Sequence, residues 1–339
     1  MVQSLQTQQS YCPAQSRASG GPASKDAGLP AGAPPAAIFL IALLAVILWG
    51  GSPIATKLVV ADLDPLAVGA LRTLIGAVPA AVILAFGRLA IPRSASGRWL
   101  LAVSSLSGFV VFPLLFSLAL ELTSGSHGGL ALAILPITTA LIAALFERRL
   151  PNRRWWLGAA VALAGTLLLV DRRFGLSSPG ASLEGDLLVL LSCFAASAGY
   201  VAGGRAAREV GAPSVTFWGL ALGGLILLPL TPVLIPSGAL TGLSVSAWSA
   251  LIYLGVAISI VGYLAWYWAL AQGDMTRVAL IQFLQPGFSL LFAAMVLGEF
   301  VTWPLALAGG IIVAGVALAQ SGRVAPAVSQ KAPGQNASG

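Results

Sequence analysis

Short polar stretches divide this sequence into long, uninterrupted apolar runs. A helix needs about 20 apolar residues to cross roughly 30 Å of hydrocarbon, and most of the runs have about that length. Backbone groups in hydrocarbon must be satisfied within the chain, and continuous apolar runs favour helices over the alternating strands of a barrel. Only 9% of the 339 residues are charged, whereas a soluble domain carries roughly 25%. We therefore predict an all-α polytopic membrane protein whose solvent is the lipid bilayer.

Ten of these runs are predicted to span the membrane. They are approximately 36–61, 65–87, 98–119, 124–146, 153–170, 184–204, 213–235, 246–270, 276–298 and 302–320. The flanking segments 1–35 and 321–339 are rich in small and polar residues, and we expect them to be disordered cytoplasmic tails.

Arginine is distributed unevenly between the two sets of alternate loops. With the N-terminus in the cytoplasm, the basic residues in or beside cytoplasmic loops are Arg88, Arg93, Arg98, Arg148, Arg149, Arg153, Arg154, Arg205, Arg208 and Arg277. Only Arg172 and Arg173 then fall outside. The positive-inside rule predicts that both termini are cytoplasmic, in a bacterial inner membrane. The net charge of +7 is explained by these loops, so we expect no nucleic-acid partner.

The chain also contains an internal repeat at an offset of 150 residues. The offset places Pro136 on Pro286 and Ala164-Gly165 on Ala314-Gly315, without a gap. A repeat with five helices emerges on the opposite side of the membrane, so its second copy is inverted. We therefore predict two inverted five-helix repeats, 36–171 and 184–320, which is a transporter architecture.

Several short motifs resemble one family. They are Leu48-Trp49-Gly50-Gly51-Ser52-Pro53 with Lys57, then Arg72, Gln285-Pro286 and Gly298-Glu299. With five-plus-five spans over about 36–320, the chain resembles the EamA-like branch of the drug/metabolite transporter superfamily. The resemblance implies transport of small metabolites, often export of amino acids or related compounds. The first half departs from the pattern, because the offset places Arg148-Arg149 where the second half has Gly298-Glu299.

Two cations inside predicted spans are candidates for substrate binding. Arg72 lies about 10 Å into the second span, and a guanidinium there needs a cavity, a ligand or a partner such as Glu121 or Glu299. Lys57 shares a helical face with Trp49 and Ser52, and the alternative is that its amino group reaches the membrane interface. Two cations in one cavity would favour a substrate that bears a carboxylate or phosphate.

Uncharged candidates lie on three other spans. They are Tyr200, the group Tyr263, Trp266 and Tyr267, and the amides Gln282 and Gln285. The aromatic residues could stack on a substrate or form an interfacial belt, and the amides could line a cavity or bond between helices.

These features favour a secondary transporter, and an exporter of amino acids or organic anions in particular. A channel or facilitator is the alternative. An intramembrane enzyme is disfavoured, because His127 is the only histidine and its neighbour Ser126 points about 100° away on a helix. No phosphate-binding loop or metal-ligand spacing is present, so we expect no cofactor and no metal. The coupling ion, and the choice between monomer and homodimer, stay open.

Overall fold

A computed structural model describes residues 33–122, 132–148, 150–170, 182–297 and 303–320. These ranges are helical apart from short connections and contain no strand, which confirms the all-α prediction. His127, Glu299 and all but three residues of the predicted tails lie outside the described residues.

The helical stretches of the described residues are labelled α1 to α10 in chain order. They are α1 (Pro35–Val60), α2 (Pro65–Phe86), α3 (Ala95–Leu122), α4 (132–147), α5 (Arg153–Val170), α6 (Leu183–Val210), α7 (Ala212–Leu234), α8 (Val245–Gln272), α9 (275–297) and α10 (Trp303–Gln320). Most bounds differ by three residues or fewer from the predicted spans, and α6 extends six residues further at its C-terminal end.

Six of these helices are long and apolar enough to cross a bilayer, namely α1, α2, α3, α6, α7 and α8. Shorter apolar stretches lie in α4 (Leu132–Phe146) and α10 (Gly310–Ala319). Large apolar side chains also cover the outside of the bundle, as at Phe86 and Val245, which are 88% and 84% exposed. Continuous apolar surface of this kind needs a lipid solvent. The protein is therefore a multi-pass membrane protein.

The helix bounds of the two halves correspond closely. Adding 150 to Ala95–Leu122, Leu135–Glu147 and Arg153–Val170 gives Val245–Gln272, Gln285–Leu297 and Trp303–Gln320. Helices α3 and α8 also share an irregularity, because each contains a π-helical segment, at Ser104–Val111 and Tyr253–Gly262. The packing is likewise matched: α1 contacts α8 and α9, while α6 contacts α3 and α4.

A turn at Gly51 interrupts α1 between Pro35–Gly50 and Ser52–Val60. Pro53 has no N–H to donate to the carbonyl of Trp49, and a carbonyl freed in this way needs another donor. Gln285 supplies one, since its Nε2 lies 3.4 Å from the Trp49 oxygen. The Tyr253 hydroxyl donates to the neighbouring carbonyl of Leu48. Side chains of α8 and α9 thus hold the interrupted helix.

Glycines bring α2 close to the π-helical segment of α8. A Cβ added at Gly76 would lie 2.8 Å from the carbonyl oxygen of Gly255, a distance that real Cβ atoms do not adopt. A Cβ at Gly255 would meet Ile75 at 2.6 Å. This approach brings Arg72, one turn earlier on α2, within reach of α8.

Candidate functional site

The interior of the bundle contains a small cavity to which α1, α2, α3, α4, α6 and α9 contribute. It is lined by Trp49, Ser52, Arg72, Phe112, Leu132, Leu135, Tyr200 and Gln285. The centre of a water molecule can explore only about 10 Å³ of it, which is room for roughly one water. The space that the structure shows at this site is therefore smaller than a metabolite.

Arg72 is the cation of this cavity. It is 3% exposed, and its Nη1 and Nε donate to the hydroxyls of Ser52 and Ser259 over 3.3 and 3.4 Å. Its guanidinium carbon lies 5.4 Å from the centroid of the Phe112 ring. Ser259 is held in turn, because its hydroxyl donates to the carbonyl of Leu254 over 2.8 Å.

The described residues place no carboxylate against Arg72, whose side chain instead donates hydrogen bonds to hydroxyl groups. Glu121, one predicted partner, is exposed at the end of α3. An arginine in a membrane interior is costly by at least about 2.5 kcal/mol, and two neutral hydroxyls offset only part of that. A guanidinium has five N–H donors, so this one retains the capacity to bind an anion.

Aromatic rings form one wall of the cavity. Trp49 and Tyr200 are stacked, with centroids 5.1 Å apart and an interplanar angle of 10°. Tyr263 and Trp266 pack behind Trp49 at centroid distances of 5.4 and 5.3 Å. Trp49 and Tyr200 therefore lie at the cavity surface, with the α8 rings as their support.

The three aromatic candidates of α8 are buried but do not line the cavity. The Tyr263 hydroxyl donates to the carbonyl of Gly108 over 3.0 Å, and the Tyr267 hydroxyl is 2.8 Å from Ser104 Oγ. Both bonds join α8 to the π-helical segment of α3. Trp266 differs, because its indole N–H is buried without a partner among the described residues.

One face of α9 carries buried polar atoms that the described residues leave without a partner. They are both amide atoms of Gln282, Oε1 of Gln285 and the hydroxyl of Ser289. Of these three residues only Gln285 lines the cavity. A buried acceptor without a partner typically destabilises by about 1–3 kcal/mol, so this face favours a hydrogen-bonding ligand or water.

Lys57 occupies a different place from Arg72. Its Nζ donates to the carbonyl oxygen of Leu120 over 2.7 Å, and it is not among the residues that line the cavity. The carbonyls at a helix C-terminus lack intrahelical donors and attract cations. The lysine of α1 thus contacts the end of α3, and Arg72 is the only cation among the described lining residues.

Sequence reasoning did not identify Ser259, Phe112, Leu132 or Leu135 as parts of the site. Ser259 carried a usable signal, because it is a hydroxyl within an apolar span and needs a partner there. The other three are apolar residues in apolar spans, and no sequence feature separates them from their neighbours.

A bundle of helices that are long and apolar enough to span a membrane belongs to the class of polytopic helical membrane proteins, and this one contains an internal cavity with a buried cation. Within that class, the EamA-like transporter family matches this chain twice, over residues 36–171 and 183–320. The chain therefore belongs to the EamA-like transporter family.

Individual relatives agree with this assignment. "Uncharacterized transporter YdeK" of Bacillus subtilis is 32% identical over 278 residues, which cover 82% of this chain and 94% of that protein. "Probable amino-acid metabolite efflux pump" of Salmonella typhimurium is 28% identical over 290 residues, or 80% and 91% of the two chains. A solved crystal structure with 25% identity has a TM-score of 0.67 and covers 84% of this chain and 97% of its own. The protein is a transporter of this family.

Proposed function

We propose that this protein is a secondary transporter that exports small carboxylate-bearing metabolites, amino acids or organic anions, across a bacterial inner membrane. In this proposal ten helices form two inverted five-helix repeats, and both termini are cytoplasmic. The cavity around Arg72 opens alternately to the two sides of the membrane.

The proposal rests mainly on the surroundings of the Arg72 side chain. Its guanidinium is buried and contacts two hydroxyls and a ring, while the described residues supply no carboxylate. Guanidinium groups pair with carboxylates through two parallel hydrogen bonds. A substrate carboxylate would therefore neutralise a charge that the described residues leave unpaired.

The small volume of the cavity favours alternating access over an open pore. A channel needs a continuous path, whereas the space beside Arg72 holds about one water. The matched helix bounds and the reciprocal packing of α1 and α6 support two equivalent halves that could exchange conformations.

Two further observations support the direction and the orientation. The name of the Salmonella relative describes efflux of an amino-acid metabolite, and this chain aligns with most of that protein. Arginine is concentrated in alternate loops of the sequence, which favours cytoplasmic termini.

The experiment is transport in proteoliposomes, with uptake and efflux measured against a panel of amino acids and organic acids. Wild type, Arg72→Ala and Arg72→Lys are compared, and Arg88→Ala serves as the matched control because Arg88 is exposed. We expect saturable flux of carboxylates in wild type, lowered at least about 100-fold in Arg72→Ala. Arg72→Lys keeps the charge without the planar fork and should give an intermediate flux.

Carboxylate flux that survives Arg72→Ala would overturn the proposed role of the arginine. The Arg88→Ala control should match wild type. Equal losses in Arg72→Ala and Arg88→Ala would also contradict the proposal, because they would indicate a general effect of removing positive charge.

A further inference from the structure

The positions of Gln282 and Gln285 on α9 correspond to leucines in the first half of the chain. Residues 132 and 135, which precede them by 150, are Leu132 and Leu135, and both of these line the same cavity. Helix α4 therefore forms the equivalent wall with apolar side chains. The NH₂ group of Gln285 has a structural role, because it donates to the Trp49 carbonyl that Pro53 leaves free, but the oxygen of the amide has no such role among the described residues.

The contacts of Gln285 show which amide atom is already bonded within the protein. Its Nε2 lies 3.4 Å from the carbonyl oxygen of Trp49, and only the NH₂ end of an amide can donate to a carbonyl. Its Oε1 is then the free end, and it is buried without a partner among the described residues. Gln285 lines the cavity together with Arg72, and Oε1 is the atom of its amide that can still accept a hydrogen bond.

We propose that Gln285 is a specificity-determining residue whose Oε1 accepts a hydrogen bond from an N–H or O–H group of the substrate. The inference rests on the proposed function, in which Arg72 binds the substrate carboxylate. Because both residues line one cavity with room for about one water, the two groups lie within reach of one small molecule. The site then selects acids that carry a donor close to the carboxylate, such as 2-amino and 2-hydroxy acids.

The selectivity follows from the oxygen atom that an acid without the donor would leave unpaired in the site. Such an acid displaces water from the cavity and leaves Oε1 of Gln285 buried without a partner. A site built to hydrogen-bond a substrate group strongly rejects the analogue that lacks it. An apolar side chain at the same position removes that penalty, and discrimination should disappear.

The test measures binding to the purified full-length protein in lipid nanodiscs by isothermal titration calorimetry. The probes form two series of different size. The smaller series consists of L-alanine, L-lactate and propanoate. The larger series consists of L-leucine, L-2-hydroxy-4-methylpentanoate and 4-methylpentanoate. Within a series the acids differ only at C2. The proteins are wild type, Gln285→Met, Gln285→Leu and the matched control Gln272→Met, because Gln272 is exposed at the end of α8.

We expect wild type and Gln272→Met to bind a donor-bearing acid about tenfold more tightly than the plain acid of its series. We expect the ratio to fall to about one in Gln285→Met and Gln285→Leu. The ratio is the informative quantity, because loss of the contact with Trp49 would weaken all probes alike. Leucine is the residue at the equivalent position 135, so we expect the fold to accept leucine in Gln285→Leu.

Three results overturn the inference, and they have different meanings. Equal binding of all acids by wild type would remove the selectivity while leaving the anion transporter intact. A ratio retained in both Gln285 variants would assign the selectivity to another residue. Absence of binding for every probe would overturn the proposed function together with the inference.

Discussion

The junction between α4 and α6 and the junction between α9 and α1 occupy corresponding places in the two halves, but their polar groups behave differently. In the first, Thr138 and Thr139 lie 2.6 and 3.0 Å from the hydroxyl of Ser197, and all three hydroxyls have partners. In the second, Gln282, Gln285 and Ser289 carry buried polar atoms without partners among the described residues. The hydroxyls of the first junction bond one another, whereas the polar atoms of the second lack partners among the described residues.

This difference shows which polar residues the packing explains. The hydroxyls of α4 and α6 satisfy one another and so stabilise a helix contact in lipid. The amides of α9 replace the leucines of α4 and gain one weak hydrogen bond among the described residues. At these equivalent positions α9 therefore carries polar side chains where α4 contributes apolar ones, while the cation Arg72 and its partner Ser52 come from the first half. The two halves have near-identical helix bounds, but the site that they form is asymmetric.

The largest effect should come from placing a carboxylate on the α9 side of the cavity. Gln285→Glu would provide an internal partner for Arg72 and compete with the substrate anion. We expect the affinity for carboxylates to fall about 30-fold or more, by analogy with charged hydrogen bonds of roughly 1.5–3 kcal/mol. Calorimetric titration measures it, with Gln272→Glu as the control that should match wild type. Unchanged affinity would mean that Arg72 and Gln285 do not share a substrate.

Positions 135 and 285 are equivalent in the two halves, and each can be given the residue of the other. We expect only one of these two substitutions to lower the stability markedly. Leu135→Gln buries a new amide without a prepared partner and should lower the free energy of unfolding by about 2 kcal/mol. Gln285→Leu loses one weak hydrogen bond but also removes an unpaired oxygen, so its effect should stay below about 1 kcal/mol. Reversible unfolding in mixed micelles measures both. Equal destabilisation would contradict the inferred difference between the halves.

Removing single hydroxyls sharpens the same comparison. Ser197→Ala deletes the partner that Thr138 and Thr139 share, and we expect a loss of about 1–2 kcal/mol. Ser289→Ala deletes a hydroxyl without a partner among the described residues, so we expect about zero or a slight gain. The unfolding assay distinguishes these outcomes, and a large loss for Ser289→Ala would indicate that this hydroxyl has a partner in the folded protein.

The smallest predicted effect concerns Lys57. Lys57→Met removes the bond to the Leu120 carbonyl and should destabilise the protein by about 1 kcal/mol, while carboxylate affinity stays unchanged. Both quantities can be measured on one preparation. A marked loss of affinity would instead indicate that Lys57 takes part in substrate binding.

The helices and the central cation could be predicted from the sequence for clear reasons. Apolar runs must be helical in lipid, and their polar ends fix the bounds to within a few residues. A charge such as Arg72 within an apolar run must face the interior of the bundle. Lys57 could not be placed in this way, because its flexible side chain reaches in several directions.

The details of the site depend on local helix winding that apolar patterns do not reveal. The π-helical segments of α3 and α8 look like their α-helical neighbours in composition, yet one of them holds Ser259 beside Arg72. In α9 the segment Leu280–Leu284 is a 3₁₀ helix, which turns about 120° per residue instead of 100°. Side chains three residues apart eclipse in such a segment, so the winding brings Gln282 and Gln285 onto one face of α9, although of the two only Gln285 lines the cavity.

The most direct test of the account is a cryo-electron microscopy structure in lipid nanodiscs with the donor-bearing acid that binds most tightly. The account predicts the ligand carboxylate within hydrogen-bonding distance of the Arg72 guanidinium, and its N–H or O–H group directed at Oε1 of Gln285. A structure in which a carboxylate of the protein pairs with Arg72, while the ligand binds elsewhere, would contradict it.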